Sequence, residues 1–280
     1  MKVLVTGGSG YLGTYVRQFF SGDDFSRRSG FDVLDEQAVE KVADYDAVIH
    51  LAAHFDKHPD AALQCFRTNA DGTANVIRNL KPGAVFIYTS TKDVYGSNAG
   101  ETDTVNENTS TEYCGQSAFE WSKLIGERYV EYYARTKNIR ACIFRLSTVF
   151  ARSSDDNAPG FVTHYVESIK HREPIRLPVG VDPIRDILYV DDFSRACRSF
   201  IDSNREFGLY NLGGGRLNAV SLRDIIKRVG AMIEIEPVIQ EDPAMPVPVP
   251  LRYVSDTTRI NDELGWRPWI GIDDGLRVIL

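Results

Sequence analysis

The chain has 280 residues, 43% of them hydrophobic and 25% charged, and it carries a formal net charge of -7. This composition is ordinary for a globular protein with one large or two modest cores, and it excludes a disordered chain. The negative charge argues against a nucleic-acid or anionic-membrane partner, and no apolar run approaches the length of a membrane span. The four cysteines lie far apart with no CxxC spacing, which favours reduced thiols over a disulfide or a metal site. Since no signal-like segment precedes the first strand, we expect a cytoplasmic protein. From the cysteine spacing, we expect no bound metal ion.

The first thirteen residues contain the strongest local signal. An apolar strand, Val3 to Thr6, leads into Gly-Gly-Ser-Gly-Tyr-Leu-Gly at positions 7–13, and a helical pattern runs from Tyr11 to Phe20. Glycines at this spacing permit a tight turn, close approach of the backbone to a pyrophosphate, and close packing of the helix on the sheet. The alternative is a glycine-rich structural turn, but the flanking strand and helix favour a dinucleotide site. Its predicted residues are Gly7, Ser9, Gly10, Tyr11, Leu12 and Gly13.

Further strand-like runs alternate with helical patterns along the chain. They span Ala47 to Ala53, Ala84 to Ser90 and Arg140 to Leu146, and they are continuously apolar, as expected when helices cover both faces of a sheet. The alternation predicts an α/β fold with a Rossmann-type, doubly wound parallel sheet.

The pattern loosens after Phe150, where we expect a smaller, mixed α/β, C-terminal substrate-binding region. Ser153 to Gly160 is polar and predicted to be a loop, and Asp242 to Pro250 contains four prolines and is predicted to be extended. A helix is expected over Phe161 to His171, and short strands over Asp186 to Val190 and Gly208 to Leu212. We predict a dinucleotide-binding domain at 1–150 plus 185–212, and a substrate region at 151–184 plus 213–280.

Cofactor specificity in such folds is set at the end of the second strand. Neither Asp23 nor Asp24 is well placed to bind the ribose hydroxyls of NAD, whereas Arg27 and Arg28 stand where the extra phosphate of NADP would lie. The sequence therefore favours NADP over NAD, unless these arginines are solvated loop charges. Asp32 and Val33 are candidates for bracketing the adenine. The small residues of Leu51-Ala52-Ala53 would let the cofactor lie against the backbone.

Three later segments carry a resemblance. They are Thr-Ser-Thr-Lys-Asp-Val-Tyr-Gly at 89–96, Phe-Glu-Trp-Ser-Lys at 119–123, and Arg-Asp-Ile-Leu-Tyr-Val-Asp-Asp at 185–192. With the glycine loop, Asn69 in its Thr-Asn-Ala-Asp-Gly-Thr segment, and Leu-Gly-Trp-Arg-Pro at 264–268, the whole chain resembles the extended short-chain dehydrogenase/reductase family. That family contains NAD-dependent epimerases, dehydratases and reductases of nucleotide sugars. The resemblance implies an NAD(P) cofactor contacted by Asn69 and Lys123, a nucleotide-diphosphate sugar substrate, and a homodimer.

The resemblance also assigns catalytic positions. In the family, a tyrosine four residues before a lysine exchanges a proton with a sugar hydroxyl, and a serine or threonine binds the same oxygen. Thr91 and Lys123 match the hydroxyl and the lysine, but Phe119 occupies the tyrosine position and has no proton to exchange. In the 4,6-dehydratases two acids follow the threonine; here they are Lys92 and Asp93, so only Asp93 remains as an acidic proton carrier.

Phe119 leaves three interpretations open. The chain is an inactivated Tyr-to-Phe variant, a natural member that uses another acid, or a cofactor-binding homologue without catalysis. Tyr113 and His54 are weaker candidates for the replacement group. The favoured function is an NAD(P)-dependent nucleotide-sugar epimerase, dehydratase or oxidoreductase. The alternatives are a non-catalytic, redox-sensing NAD(P)-binding module and an NADPH-dependent reductase of a 4-keto nucleotide sugar.

The resemblance also implies substrate-binding positions, and only some of them carry the family's residue in this chain. Arg185 matches the family arginine that contacts the substrate diphosphate. Thr148 occupies a position where the family has asparagine, and Arg252 is the predicted replacement for a second family arginine. With Lys92 in place of an acid, these differences predict a sugar pocket unlike that of a standard 4,6-dehydratase.

Overall fold

The computed structural model describes residues 1–100, 102–152 and 160–280. A parallel six-stranded sheet has the order β2-β1-β3-β4-β5-β9. The strands are β1 Val3–Thr6, β2 Asp23–Phe25, β3 Ala47–His50, β4 Val85–Thr91, β5 Arg140–Leu146, β6 Thr148–Phe150, β7 Ile175–Leu177, β8 Ile184–Tyr189, β9 Phe207–Leu212, β10 Ala219–Ser221, β11 Ile239–Glu241 and β12 Arg252–Tyr253. The helices are α1 Gly13–Phe20, α2 Ala62–Cys65, α3 Gly72–Arg78, α4 Ala118–Thr136, α5 Phe161–Lys170, α6 Val190–Asp202, α7 Leu222–Ile233, α8 Thr258–Leu264 and α9 Ile272–Ile279.

The large sheet confirms the predicted Rossmann-type fold. Its central strands are buried along their length because helices pack on both faces, and one apolar core lies on each side of the sheet. The strand order reverses at β1, which pairs with β2 on one side and β3 on the other. In open α/β sheets such a switch point opens a crevice at the carboxyl ends of the strands, and ligands bind there.

A second region packs beside the carboxyl end of the large sheet. In it, β8 pairs with β6, β10 and β12, while β7 pairs with β11, around a separate apolar core. The strand expected at Asp186 to Val190 is β8 and lies in this smaller sheet, whereas β9 joins the large one. The proposed domain division remains a prediction, because segment 185–212 contributes strands to both sheets.

Several predicted boundaries shift by one to three residues. The first helix begins at Gly13 rather than Tyr11, because the glycine turn extends to its N-cap, Leu12. The third strand ends at His50, where Leu51 N still bonds Thr6 O and the chain then leaves the sheet, so residues 51–53 form a loop.

Farther along, the fourth strand extends one residue beyond Ser90 to Thr91, and the predicted helix at 161–171 ends at Lys170. Residues 242–250 contain no helix or strand, as predicted, whereas 153–159 of the predicted loop lie outside the described residues. Within the described ranges, no helix has the length and apolar character needed to cross a membrane.

Candidate cofactor and active site

The glycine loop leaves no room for side chains at two positions. Gly7 has φ +68°, and a Cβ there would lie 2.9 Å from the backbone nitrogen of Ala52. A Cβ on Gly13 would lie 2.1 Å from the carbonyl oxygen of Gly7, so the start of α1 packs directly against the turn. This bare backbone at the start of a helix fits a dinucleotide pyrophosphate.

A pocket opens beside this loop at the switch point of the sheet. It brings together ten of the residues predicted to bind the cofactor: Gly7, Ser9, Gly10, Arg27, Arg28, Asp32, Val33, Leu51, Ala52 and Ala53. Phe31, which stacks on Phe25 with ring centroids 4.9 Å apart, also lines the pocket and was missed by the sequence analysis, as were Gln64 and Thr68. Thr68 begins the Thr-Asn-Ala-Asp-Gly-Thr segment that contains Asn69, whereas no sequence signal marks Phe31 and Gln64.

Two further residues predicted to bind the cofactor, Tyr11 and Asn69, make hydrogen bonds within the protein. The Tyr11 hydroxyl bonds the backbone of Ala151 and the Thr163 hydroxyl. Asn69 is fully buried; its amide oxygen accepts from His54 N, and its nitrogen donates to His54 O and Ser122 Oγ. These bonds fix the segment after β3 against α4.

The charges at the end of β2 are divided between the interior and the pocket. Asp24 Oδ2 accepts hydrogen bonds from the hydroxyls of Ser9 and Ser26 and lies 3.6 Å from Arg17, whereas Oδ1 is buried without a hydrogen-bond partner among the described residues. Arg27 and Arg28 are exposed at the pocket, and Arg28 Nη1 donates to the Ser9 carbonyl at 3.1 Å. Cationic groups therefore face the pocket from this side.

The positions predicted to be catalytic meet where α4 packs against the end of β4. Lys123 is buried, and its Nζ donates to the Thr89 carbonyl at 2.8 Å. Burial lowers the pKa of Lys123 to about 8, although nearby Glu127 opposes this shift. Phe119 lies one turn earlier on α4 and is only 4% exposed, with its ring edge-on to that of Phe55 at 4.6 Å.

A cluster of four charged side chains surrounds this point. Lys57 Nζ lies 2.8 Å from Asp93 Oδ2 and 2.7 Å from Glu120 Oε1, while Lys92 Nζ bonds Asp93 Oδ1. Burial raises the pKa of Asp93, but Lys92 and Lys57 outweigh it and hold the carboxyl ionised. Burial lowers the pKa of Lys92, and Asp93 opposes that shift. The sequence analysis missed Lys57 and Glu120, because their partners are distant in the chain.

The two other candidates for the missing acid lie differently. Tyr113 is 69% exposed and its ring stacks on Trp121 with centroids 6.3 Å apart. His54 is held through its backbone by Asn69. Among the described residues, neither side chain is hydrogen-bonded to the cluster around Asp93.

The predicted substrate residues lie on the smaller sheet. Arg185 is nearly buried on β8, and its Nη1 donates to the carbonyls of Ile184 and Leu251 at 2.7 and 3.2 Å. Arg252 begins β12 beside it, and its Nε is buried without a hydrogen-bond partner among the described residues. Thr148 pairs with Ile187 across β6 and β8. Lys92 joins this side to the cluster, because its Nζ lies 5.1 Å from the centre of the Tyr253 ring on β12.

The bare glycine turn, the pocket at the switch point and the parallel sheet together define a dinucleotide-binding α/β protein. The chain belongs to the NAD dependent epimerase/dehydratase family, which matches residues 3–213. A relative from Sinorhizobium fredii (strain NBRC 101917 / NGR234), described as a probable dTDP-glucose 4,6-dehydratase, is 25% identical; the match covers 99% of this chain and 91% of the relative. Membership in the predicted family is confirmed.

Solved structures share the fold at low sequence identity. UDP-glucuronic acid 4-epimerase from Bacillus cereus, in complex with UDP-glucuronic acid and NAD, has a TM-score of 0.84 and 20% identity, with 99% of this chain and 97% of that chain covered. RMD from Pseudomonas aeruginosa, complexed with NADPH, has a TM-score of 0.82 and 21% identity, with 100% and 98% covered. Neighbours of this fold therefore include both NAD and NADPH complexes.

Proposed function

We propose that this chain is an NAD(P)-dependent enzyme that acts on a ring carbon of a nucleotide-diphosphate sugar. The observation that carries the proposal is the position of Thr91 and Lys123 at the carboxyl end of β4, on the same edge of the sheet as the glycine loop. The nicotinamide would supply hydride transfer there. Thr91 would bind the reacting oxygen, and Lys123 would hold the nicotinamide ribose with a buried ammonium group.

We infer that the preferred cofactor is NADP. Arg27 and Arg28 face the pocket, whereas Asp24 is not among the residues that line it: its Oδ2 is engaged by Ser9, Ser26 and Arg17, and its Oδ1 is buried. A bidentate guanidinium is the favoured partner of a phosphate, and an engaged carboxylate is a poor acceptor for ribose hydroxyls. The expected result is tighter binding of NADP⁺ than of NAD⁺ in titration calorimetry.

The substrate diphosphate is assigned to the two arginines of the smaller sheet. Arg185 and Arg252 lie on neighbouring strands, and the buried Nε of Arg252 has a donor left to give. Thr148 and Lys92 would then contact the sugar. Arg185→Ala is expected to weaken binding of a nucleotide sugar while binding of NADP⁺ is retained.

We also infer a homodimer that is formed through α4. Trp121 and Tyr132 are exposed large side chains on this helix, 38% and 59% accessible. Exposed aromatic residues on one element are typical of an interface. Light scattering on the purified protein tests this directly, and a monomer at micromolar concentration would contradict it.

The central experiment restores the missing phenol. Phe119→Tyr and the unchanged protein are incubated with NADP⁺ or NAD⁺ and a panel of nucleotide sugars, and cofactor reduction and sugar products are followed. General acid and base catalysis contributes roughly 10²- to 10⁴-fold, so we expect Phe119→Tyr to gain turnover, by up to that factor if no other group exchanges the proton and by less if a neighbouring group already does. Phe119→Leu is the matched control, since it changes the same buried ring without adding a proton.

One alternative is supported by a specific observation. The Phe119 ring is buried against Phe55 and offers no proton, as expected for a non-catalytic NAD(P)-binding module. That module would bind the cofactor tightly, would bind no nucleotide sugar, and would be unaffected by Arg185→Ala. Failure of both the unchanged protein and Phe119→Tyr to turn over or bind any nucleotide sugar would favour it over the enzyme.

A further inference from the structure

Lys92 occupies the junction between the two halves of the molecule. It directly follows Thr91, the last residue of β4, on the edge of the large sheet where the glycine loop lies. Its Nζ also stands over the Tyr253 ring of the smaller sheet, beside Arg252. Lys92 therefore lies where the end of β4, which carries Thr91, meets the strand that carries Arg252.

Lys92 is buried among charged groups of both signs. Its side chain is 12% exposed and has one close anion, Asp93, whereas Lys57 and Arg185 are cations that act on it from two other segments. Asp93 is itself shared with Lys57, which is 47% exposed and is also paired with Glu120. An amine that is desolvated and surrounded by like charges loses its proton more readily than a surface lysine.

The other ionisable groups near Phe119 are less suited to exchange a proton. Asp93 is held ionised by two ammonium groups, so it is a weak base at neutral pH. Lys123 is buried and donates to the Thr89 carbonyl, and the proposed function already assigns the rest of its ammonium group to the nicotinamide ribose. Glu120 caps α4 through Ser117 and pairs with Lys57.

We propose that Lys92 is the acid and base of this enzyme, exchanging a proton with the substrate hydroxyl in place of a phenol at position 119. The proposal rests on the proposed function. In the oxidising direction, the neutral amine of Lys92 takes the hydroxyl proton and becomes an ammonium. A nicotinamide cofactor, when bound, would accept the hydride that leaves the carbon, and the electron pair of the broken O–H bond would form the carbonyl bond. The reverse step returns the proton from the ammonium to oxygen.

Lys57 and Asp93 are positioning residues in this arrangement. Asp93 orients the Lys92 amine, and Lys57 holds Asp93 while repelling a proton on Lys92. Their removal should therefore move the pKa of Lys92 in opposite directions. Lys57→Met removes a like charge and should raise the pKa of Lys92, whereas Asp93→Asn removes the counter-charge and should lower that pKa.

The first test measures Lys92 itself, without cofactor or substrate. Partial acetylation of the intact protein from about pH 6 to pH 10, followed by mass spectrometry, gives the pH midpoint of labelling for each lysine. We expect a lower midpoint for Lys92 than for Lys81, a matched surface lysine that pairs with Asp46 near the other end of β4. Lys57→Met should raise the Lys92 midpoint, and Asp93→Asn should lower it, each by ~0.5 pH unit or more.

The second test asks whether turnover follows Lys92. The inflection of the pH–rate profile should move in the same directions in the two variants, and Lys92→Met should lower kcat by roughly 10²-fold or more. In the Phe119→Tyr background, where a phenol is restored, Lys92→Met should cost less than about tenfold, since the two groups then do the same work. Lys81→Met is the control and should leave the profile unchanged.

The outcomes separate the two proposals. The role of Lys92 is overturned, and the enzyme proposal kept, if the unchanged protein turns over a nucleotide sugar but the inflection of its pH–rate profile does not move in Lys57→Met and Asp93→Asn. Full activity of Lys92→Met has the same consequence. An inflection that moves only with substitution of Lys123 also overturns it. Absence of nucleotide-sugar turnover and binding in every variant overturns the proposed function and this inference together.

Discussion

The cofactor pocket and the cluster around Asp93 are built in different ways. The pocket depends on backbone, because Gly7 and Gly13 allow main-chain atoms to approach where a side chain would collide. The cluster depends on long charged side chains from three separate segments, joined by Lys57. A backbone site is encoded within one short stretch of sequence, whereas a side-chain site depends on how distant stretches meet.

The same difference determines which of the two sites can accept substitutions. The glycine loop tolerates almost no substitution, since a Cβ at either glycine overlaps backbone atoms. A side-chain site tolerates exchange if a neighbour supplies the lost chemistry. The proposed exchange at position 119 is of this kind, because Lys92 supplies an amine directly after β4.

The largest expected effect comes from the buried charges behind the catalytic helix. Arg145 donates to both oxygens of Glu127 at 2.9 and 2.7 Å, and both side chains are nearly inaccessible. Glu127→Gln leaves the guanidinium unpaired, so the free energy of unfolding should fall by about 3–5 kcal/mol. Denaturant unfolding measures this. The matched exposed pair, Glu131 with Arg135, should lose less than about 1 kcal/mol in Glu131→Gln.

The next effect tests the backbone site. Gly13→Ala places a Cβ 2.1 Å from Gly7 O, so the loop must shift and the affinity for NADP⁺ should fall by roughly 100-fold or more, about 2.7 kcal/mol. Calorimetry gives the dissociation constant. Gly271→Ala is the control, because the nearest atom to its Cβ would be 3.8 Å away. Equal affinities for both variants would show that the turn is not the cofactor site.

An acid-sensitive contact lies between these two regions. His50 is fully buried between the hydroxyls of Thr6 and Thr73, and burial lowers its pKa to about 3, with Lys123 adding to the shift. Between pH 6.5 and pH 3, His50 binds a proton in the unfolded chain but not in the folded chain. The contribution of His50 to the free energy of unfolding is therefore fully present above pH 6.5. It falls as the pH drops, by ~1.4 kcal/mol per pH unit, which is about 2 kcal/mol at pH 5.

Unfolding of the unchanged protein and of His50→Gln at pH 7 and pH 5 checks this. From pH 7 to pH 5, the free energy of unfolding should fall by about 2 kcal/mol less in His50→Gln than in the unchanged protein. Asp93 contributes little to the difference, because its stabilising ionisation is lost only below the ordinary aspartate pKa. Equal losses would assign the acid sensitivity to other groups.

The smallest effect concerns cofactor choice. Arg27→Ala removes one guanidinium at the pocket without touching the contact of Arg28 with the Ser9 carbonyl. We expect affinity for NADP⁺ to fall about tenfold, or 1.4 kcal/mol, with affinity for NAD⁺ unchanged. Arg277→Ala, an exposed arginine on α9, is the control. An equal fall for both cofactors would make Arg27 a general phosphate contact.

The sequence by itself determined the fold class, the family and the pocket. Apolar runs and glycine spacing are local properties, and short-range sterics convert them into strands and a phosphate-binding turn. For this reason ten of the predicted cofactor residues lie around one pocket. The boundaries of β3 and α1 were wrong by two or three residues, because hydrogen bonding to Thr6 and the glycine turn sets them.

Only the tertiary structure decided the chemistry around Phe119. Lys57 follows β3, Glu120 lies on α4 and Tyr253 lies on β12, so no spacing in the sequence links them to Asp93 and Lys92. Asn69 likewise matches a cofactor motif, yet it is bonded to His54 and Ser122. Charges act through space and depend on burial, and both are set by how the two sheets pack together rather than by neighbours in the chain.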